Sequence, residues 1–205
     1  MKRTLLVLAL FIISNVAATS ADDTTAVVQQ VQQTALEISL SGGPQRTYFR
    51  DVTTPLTEQR QFWGWSATGK IMWHPDHILS VGVLTGYALF STENFTKDDI
   101  PLLNEPFKLT LEAVPLQLAL SMQSGGFEIN VGLGGYFLSS TVTGGNAVRQ
   151  ANTIFEIGVS TQASYMLSLG DTFSIGPEIN VQLMSNRGIL AVTPSLRAKW
   201  EFVRY

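Results

Sequence analysis

FEINVGLGGYFLSS, residues 127–140, alternates with a period of two. Phe127, Ile129, Val131, Leu133 and Phe137 fall on one face, and Glu128, Asn130, Gly132, Gly134 and Tyr136 fall on the other. Successive side chains of a strand point to opposite faces, so the stretch reads as a strand with one apolar and one polar side. The polar side carries glycines and a single carboxylate where a solvated face would carry a dense row of charge. Such a strand faces something narrow and polar on one side and something apolar on the other.

The same period runs outward in both directions. SGG at 124–126 makes a turn, and residues 107–122 form the strand before it. There Leu109, Leu111 and Ala113 share one parity, while Leu116, Leu118 and Leu120 share the other. Keeping both sets on the apolar face requires a bulge, and Pro115, which has no N–H to donate, marks its place. Further upstream, strands are predicted over 78–90, 60–73 and 35–41, with a tight turn at HPDH, 74–77. Downstream they are predicted over 153–168, 173–184 and 189–205, with a turn at LGDT, 169–172.

Eight strands with three tight turns, after the second, fourth and sixth, leave the longer connections (42–59, 91–106 and 140–152) together at the opposite end, with a short one at 185–188. Short turns on one side and longer loops on the other are the asymmetry of transmembrane barrels, and an even strand number brings both termini to the turn side. The predicted fold is therefore all-β: an eight-stranded antiparallel transmembrane up-and-down β-barrel.

Composition agrees. Charged residues make up only 14% of the 205 residues, against about 25% in an ordinary soluble domain. After residue 14 no apolar run approaches the roughly 18 residues of a membrane helix. The strand charges, Glu37, Lys70, Glu128, Glu156, Glu178, Arg197, Lys199 and Glu201, lie on the polar parity. A soluble lipid-carrying barrel would invert this, with apolar groups inside and a charged exterior. Trp63, Trp65, Trp73, Phe127, Phe155, Phe173, Trp200 and Phe202 cluster near strand ends, as interfacial girdles do.

Lys2 and Arg3 precede an apolar stretch at 4–13 and then small residues, the pattern of a secretory signal. Residues 1–21 are predicted as signal peptide, with cleavage after Ala18 or Ala21; residues 22–34, polar and Gln-rich, as a periplasmic tail; and residues 35–205 as the barrel. Cysteine is absent, which removes disulfides, thiolate metal sites and cysteine nucleophiles together. The formal charge is −3 and no basic cluster exists, which argues against nucleic acid as a partner.

The stretches LEAVPLQLAL (111–120), FEINVGLGGYFLSS, FEIGVSTQASYML (155–167) and FSIGPEINVQL (173–183) resemble the outer-membrane β-barrel proteins of Gram-negative bacteria often grouped as the porin family. Leu111, Glu112 and Pro115 match that family's Leu-Glu-Ile-Pro motif, with one extra residue in Ala113-Val114. The terminal Tyr205 is similar to the aromatic that barrel-assembly machinery reads. The resemblance implies location in the outer membrane, with membrane lipid and that machinery as partners, and it implies no demonstrated pore.

Chemistry is sparse. His74 and His77 are the only histidines, and they bracket the Pro-Asp turn with no further ligand near, so they read as turn residues. A lipid-modifying Ser–His enzyme needs its histidine near the outer leaflet or in the membrane plane, within hydrogen-bond reach of a serine, whereas both lie at the turn end. No catalytic, cofactor-binding or metal-binding residue is predicted. Eight strands leave an interior that side chains just fill. Six inward carboxylates (Glu37, Glu112, Glu128, Glu156, Glu178 and Glu201) then face Lys70, Arg197 and Lys199 and require ion pairs, water or protonation. The expected protein is a monomer with a structural or loop-mediated binding role, and residues 91–106, which mix Glu93, Asp98 and Asp99 with Ile100, Leu102 and Leu103, are the loop to bind an extracellular ligand. The alternatives are a lipid-modifying enzyme and a narrow channel for small solutes.

Overall fold

The computed structural model describes residues 35–50, 60–75, 79–95, 106–144, 147–184 and 188–204. The predicted signal and tail, His77, residues 96–105 and Tyr205 lie outside these. Eight long strands follow one another: β1 Ala35–Phe49, β2 Trp63–His74, β3 Leu79–Phe95, β4 Phe107–Ser124, β5 Phe127–Gly144, β6 Ala147–Tyr165, β7 Phe173–Met184 and β8 Ile189–Arg204. Each pairs antiparallel with its sequence neighbours, and β8 returns to pair with β1 from Ala35↔Arg204 to Phe49↔Ile189. The ring is closed, so no long strand leaves an open edge for another chain. Two short ladders flank it: Arg60–Gln61 against β3, and Leu167–Ser168 against β7.

The turn at 124–126 has Gly125 and Gly126 both at positive φ (56° and 84°), the requirement of a two-residue turn whose twist matches a hairpin. The wall is tight elsewhere too. A Cβ on Gly132 would stand 2.6 Å from both Gln117 Oε1 and Ser160 Oγ inside the barrel.

The exterior is apolar. Leu118 is 71% exposed, and Leu40, Ile71, Leu116, Leu133, Ile157, Ile179 and Leu196 are open in the same way. On β2 the exposed Trp63 and Trp73 stand ten residues apart. At about 3.3 Å per residue and a tilt of about 40°, that is roughly 25 Å along the axis, the height of a barrel's apolar band. Trp73, Phe127, Tyr165, Phe173, Trp200 and Phe202 ring the turn end; Tyr48, Trp63, Trp65, Phe137 and Phe155 ring the loop end.

Five expectations are corrected. The strands run further towards the loop end than predicted: β1 to Phe49, β3 to Phe95 and β5 to Gly144, while β6 already begins at Ala147. Above the apolar band both faces meet polar surroundings, so the alternation fades while the backbone ladder continues. Glu93, expected in a loop, is thereby a buried strand residue. The bulge is not at Pro115. β4 and β5 pair without a slip from Phe107↔Gly144 to Ser124↔Phe127, and the extra residue is Phe90 of β3, between Leu89↔Glu112 and Ser91↔Leu111. Thr85 Oγ1 donates to the Pro115 carbonyl at 2.9 Å beside the interruption. With β4 unbulged, Glu112 lies on the exterior parity, where it accepts a hydrogen bond from the Tyr87 hydroxyl. Leu109 and Leu111 lie on the inward parity, because the interior is not polar throughout.

Candidate functional site

The inward side chains form two layers. The layer towards the turns is charged, and Arg197 of β8 is its centre, the largest of the fully buried side chains. Its Nη2 donates to Glu37 Oε1 on the adjacent β1 at 2.8 Å. Its Nη1 reaches across the lumen to Glu128 Oε1 on β5 at 2.7 Å and also donates to Ser164 Oγ at 3.1 Å. Glu178 on β7 stands 3.8 Å from Nη1 and 3.7 Å from Lys70 Nζ. Lys70 donates across the barrel to Gln162 Oε1 at 2.7 Å. Lys199 lies 3.1 Å from Glu37 Oε2 and 3.7 Å from Glu128 Oε2, and donates to Gln123 Oε1 at 2.8 Å. Three carboxylates and three cations thus interlock out of water, as buried charge requires.

His74 joins this layer. It is the last residue of β2 and faces inward, with Nε2 2.8 Å from Glu37 Oε2 and Nδ1 2.5 Å from Ser80 Oγ. The turn reading of His74 is corrected accordingly: the even parity of Gly64, Ser66, Thr68, Lys70 and Met72 carries it into the lumen. The signal was present in the sequence, since the alternation of β2 extends one residue into the turn motif. Ser80, His74 and Glu37 have the contents of a hydrolytic triad. However, the serine meets Nδ1 and the carboxylate Nε2, Ser80 is buried, and Glu37 is also held by Arg197 and Lys199. Among the described residues no cluster of three or more His, Cys, Asp or Glu has the arrangement of a metal site.

The layer towards the loops is mainly apolar, although Glu93 and Glu156 are also buried in it. Ala88 and Phe90 of β3, Ala113 of β4, Tyr136 and Leu138 of β5, Met184 of β7, and Ile189 and Ala191 of β8 pack together inside the barrel, with Phe49 and Leu111 against them. Gly158 makes room for this plug: a Cβ there would come within 2.7 Å of the Tyr136 ring. Between the layers lies a polar belt. Ser160 donates to Gln117 Oε1 at 2.6 Å, and Gln117 Nε2 donates to the Tyr136 hydroxyl at 3.0 Å. Gln45, Ser66 and Thr193 are linked at 3.3 Å on the other wall. Asn130, Gln162 and Asn180 lie in one register row of β5, β6 and β7 and keep side-chain polar atoms without protein partners, the places where buried water binds.

No family model matches the sequence, and no curated protein matches it. Solved structures match by fold. A major outer membrane protein from Thermus thermophilus superposes with a TM-score of 0.53 at 12% identity, covering 82% of this chain and 99% of that one. Neisserial surface protein A superposes with a TM-score of 0.51 at 8% identity, covering 82% and 97%. Identity at this level speaks to the fold, and it agrees with the apolar exterior: the chain folds as a small outer-membrane β-barrel.

Proposed function

We propose that this protein is a monomeric outer-membrane barrel with a closed lumen, acting through its structure and through binding by its outer loops. The supporting observation is the filled lumen. A cross-barrel ion network occupies one half and a mainly apolar plug the other, and this filling supports a lumen without a continuous polar path. On this reading residues 1–21 direct export, residues 22–34 stay in the periplasm, residues 35–205 make the barrel, barrel-assembly machinery inserts it, and membrane lipid is its permanent partner. The ligand of the loops is extracellular. Reconstitution in planar bilayers tests the closed lumen: the expected result is no steady unitary current, and stable single-channel steps would overturn it.

A second reading, a lipid-modifying enzyme, draws on Ser80, His74 and Glu37. Their reversed ring contacts and the burial of Ser80 disfavour it. A fluorophosphonate probe and lipid profiles of cells with and without the protein decide the matter. Unlabelled serine and unchanged acyl chains are expected, whereas labelling that disappears in Ser80→Ala would establish the enzyme.

A further inference from the structure

Arg46, like Lys108 and Glu112, departs from the sorting of charge into the lumen. It lies on the exterior parity of β1, between the exposed Pro44 and Tyr48. Its guanidinium carbon stands 5.1 Å from the centre of the Trp63 ring and 5.7 Å from that of Tyr48. Its register partners are Trp63 on β2 and Val192 on β8. Its Nε has no hydrogen-bond partner among the described residues. The lumen cations, by contrast, all have carboxylate or amide partners.

The level of Arg46 is informative. Leu36 pairs with Trp73 at the turn-end girdle, and Arg46 pairs with Trp63 at the loop-end girdle. A cation on the lipid face is costly at mid-bilayer and nearly free at the interface. Arg46 is at the interface, at the end that barrel asymmetry assigns to the outer leaflet. Two aromatic faces hold its guanidinium against the wall. A guanidinium fork matches two oxygens of a phosphate.

We propose that Arg46, braced by Trp63 and Tyr48, binds the phosphate of an anionic lipid headgroup in the outer leaflet. The acyl chains of that lipid would run down the exterior past Val192 and Leu40. The proposal rests on the membrane-facing exterior argued above. The lipid is favoured over free phosphate as the source because the site opens sideways, at the level where headgroups lie.

The test is lipid retention. The full barrel is reconstituted in phosphatidylcholine vesicles with and without phosphatidic acid, extracted gently, and read by native mass spectrometry. Insertion into phosphatidylcholine alone, seen as heat-modifiable gel mobility, checks the underlying membrane reading separately. The wild type is expected to retain phosphatidic acid several-fold above its share of the mixture. Arg46→Gln, which removes an exterior charge and so spares the fold, should retain it only at its share. Arg46→Lys should fall between, and Lys108→Gln, an exterior cation on β4, should match the wild type. Equal retention by wild type and Arg46→Gln, no enrichment in the wild type, or loss in Lys108→Gln instead would each overturn the proposal. Binding of inorganic phosphate to the lipid-free barrel as strongly as phosphatidic acid would overturn the lipid as its source.

Discussion

The two halves of the lumen are filled by different means. Towards the turns, Arg197, Lys70 and Lys199 hold Glu37, Glu128 and Glu178 through contacts that depend on position and charge. Towards the loops, Phe90, Leu138, Met184 and Ile189 fill the same bore with volume. A charge layer is stable only while each member has its partner, and removing one member strands another. A packed apolar layer loses stability in proportion to the volume removed and tolerates swaps that conserve it. A narrow barrel thus need not have one kind of interior. It also gives each half its own signature under mutation.

The largest effect is expected at Arg197. Arg197→Met leaves Glu37 and Glu128 facing each other with Lys199 as their remaining shared cation. Breaking a buried pair from one side costs about 3–5 kcal/mol. Urea unfolding in lipid vesicles, followed by tryptophan fluorescence, should show a loss of that size. Adding Glu37→Gln and Glu128→Gln should restore most of it. If the triple variant stays as weak as the single one, Arg197 acts through packing, and the contrast between the halves fails.

Leu138 gives the matching experiment in the plug. It is buried against the cluster of Tyr136, Met184 and Ile189. Leu138→Ala should cost about 2–5 kcal/mol by the cavity it leaves, while Leu138→Met, which nearly conserves volume, should cost under about 1.5 kcal/mol. Arg197→Lys is the corresponding conservative change in the other half, and it should not be tolerated, because a shorter side chain ending in one nitrogen does not reproduce the spread of Nη1 and Nη2, which bond Glu128 and Glu37 separately. Equal tolerance of Leu138→Met and Arg197→Lys in the same unfolding assay would erase the distinction.

The charged half was legible in the sequence because its members stand out: carboxylates and cations on the polar parity of strands with almost no other charge. The apolar half was not. An inward Leu109 or Leu111 looks the same in sequence as a lipid-facing Leu118. Assuming a polar interior therefore forced a parity change onto β4, moved the bulge from Phe90 to Pro115, and turned Glu112 inward. The loop-side strand ends were missed for a related reason. Above the membrane band neither face has a strong preference, so Phe95 and Gly144 end strands that periodicity closes earlier. His74 was hidden by its turn motif, although its parity points into the lumen.

The smallest effect is expected where the halves meet. Tyr136 is fully buried; its ring belongs to the plug, and its hydroxyl accepts from Gln117 Nε2 at 3.0 Å. Tyr136→Phe keeps the ring and removes the acceptor. Gln117 retains the bond that Ser160 donates to its oxygen, so a single amide donor loses its partner. The expected loss is about 1 kcal/mol, the net worth of one hydrogen bond. Adding Gln117→Leu to Tyr136→Phe separates two accounts of the boundary. If the hydroxyl serves only to satisfy Gln117, the double variant loses little beyond what Gln117→Leu alone loses, and the plug can extend further towards the turns. If the losses simply add, the hydroxyl contributes independently of Gln117. A loss well above about 3 kcal/mol for Tyr136→Phe alone, more than an unsatisfied buried group costs, would tie Tyr136 to the charge layer through the polar belt, and the lumen would then behave as one network rather than two layers.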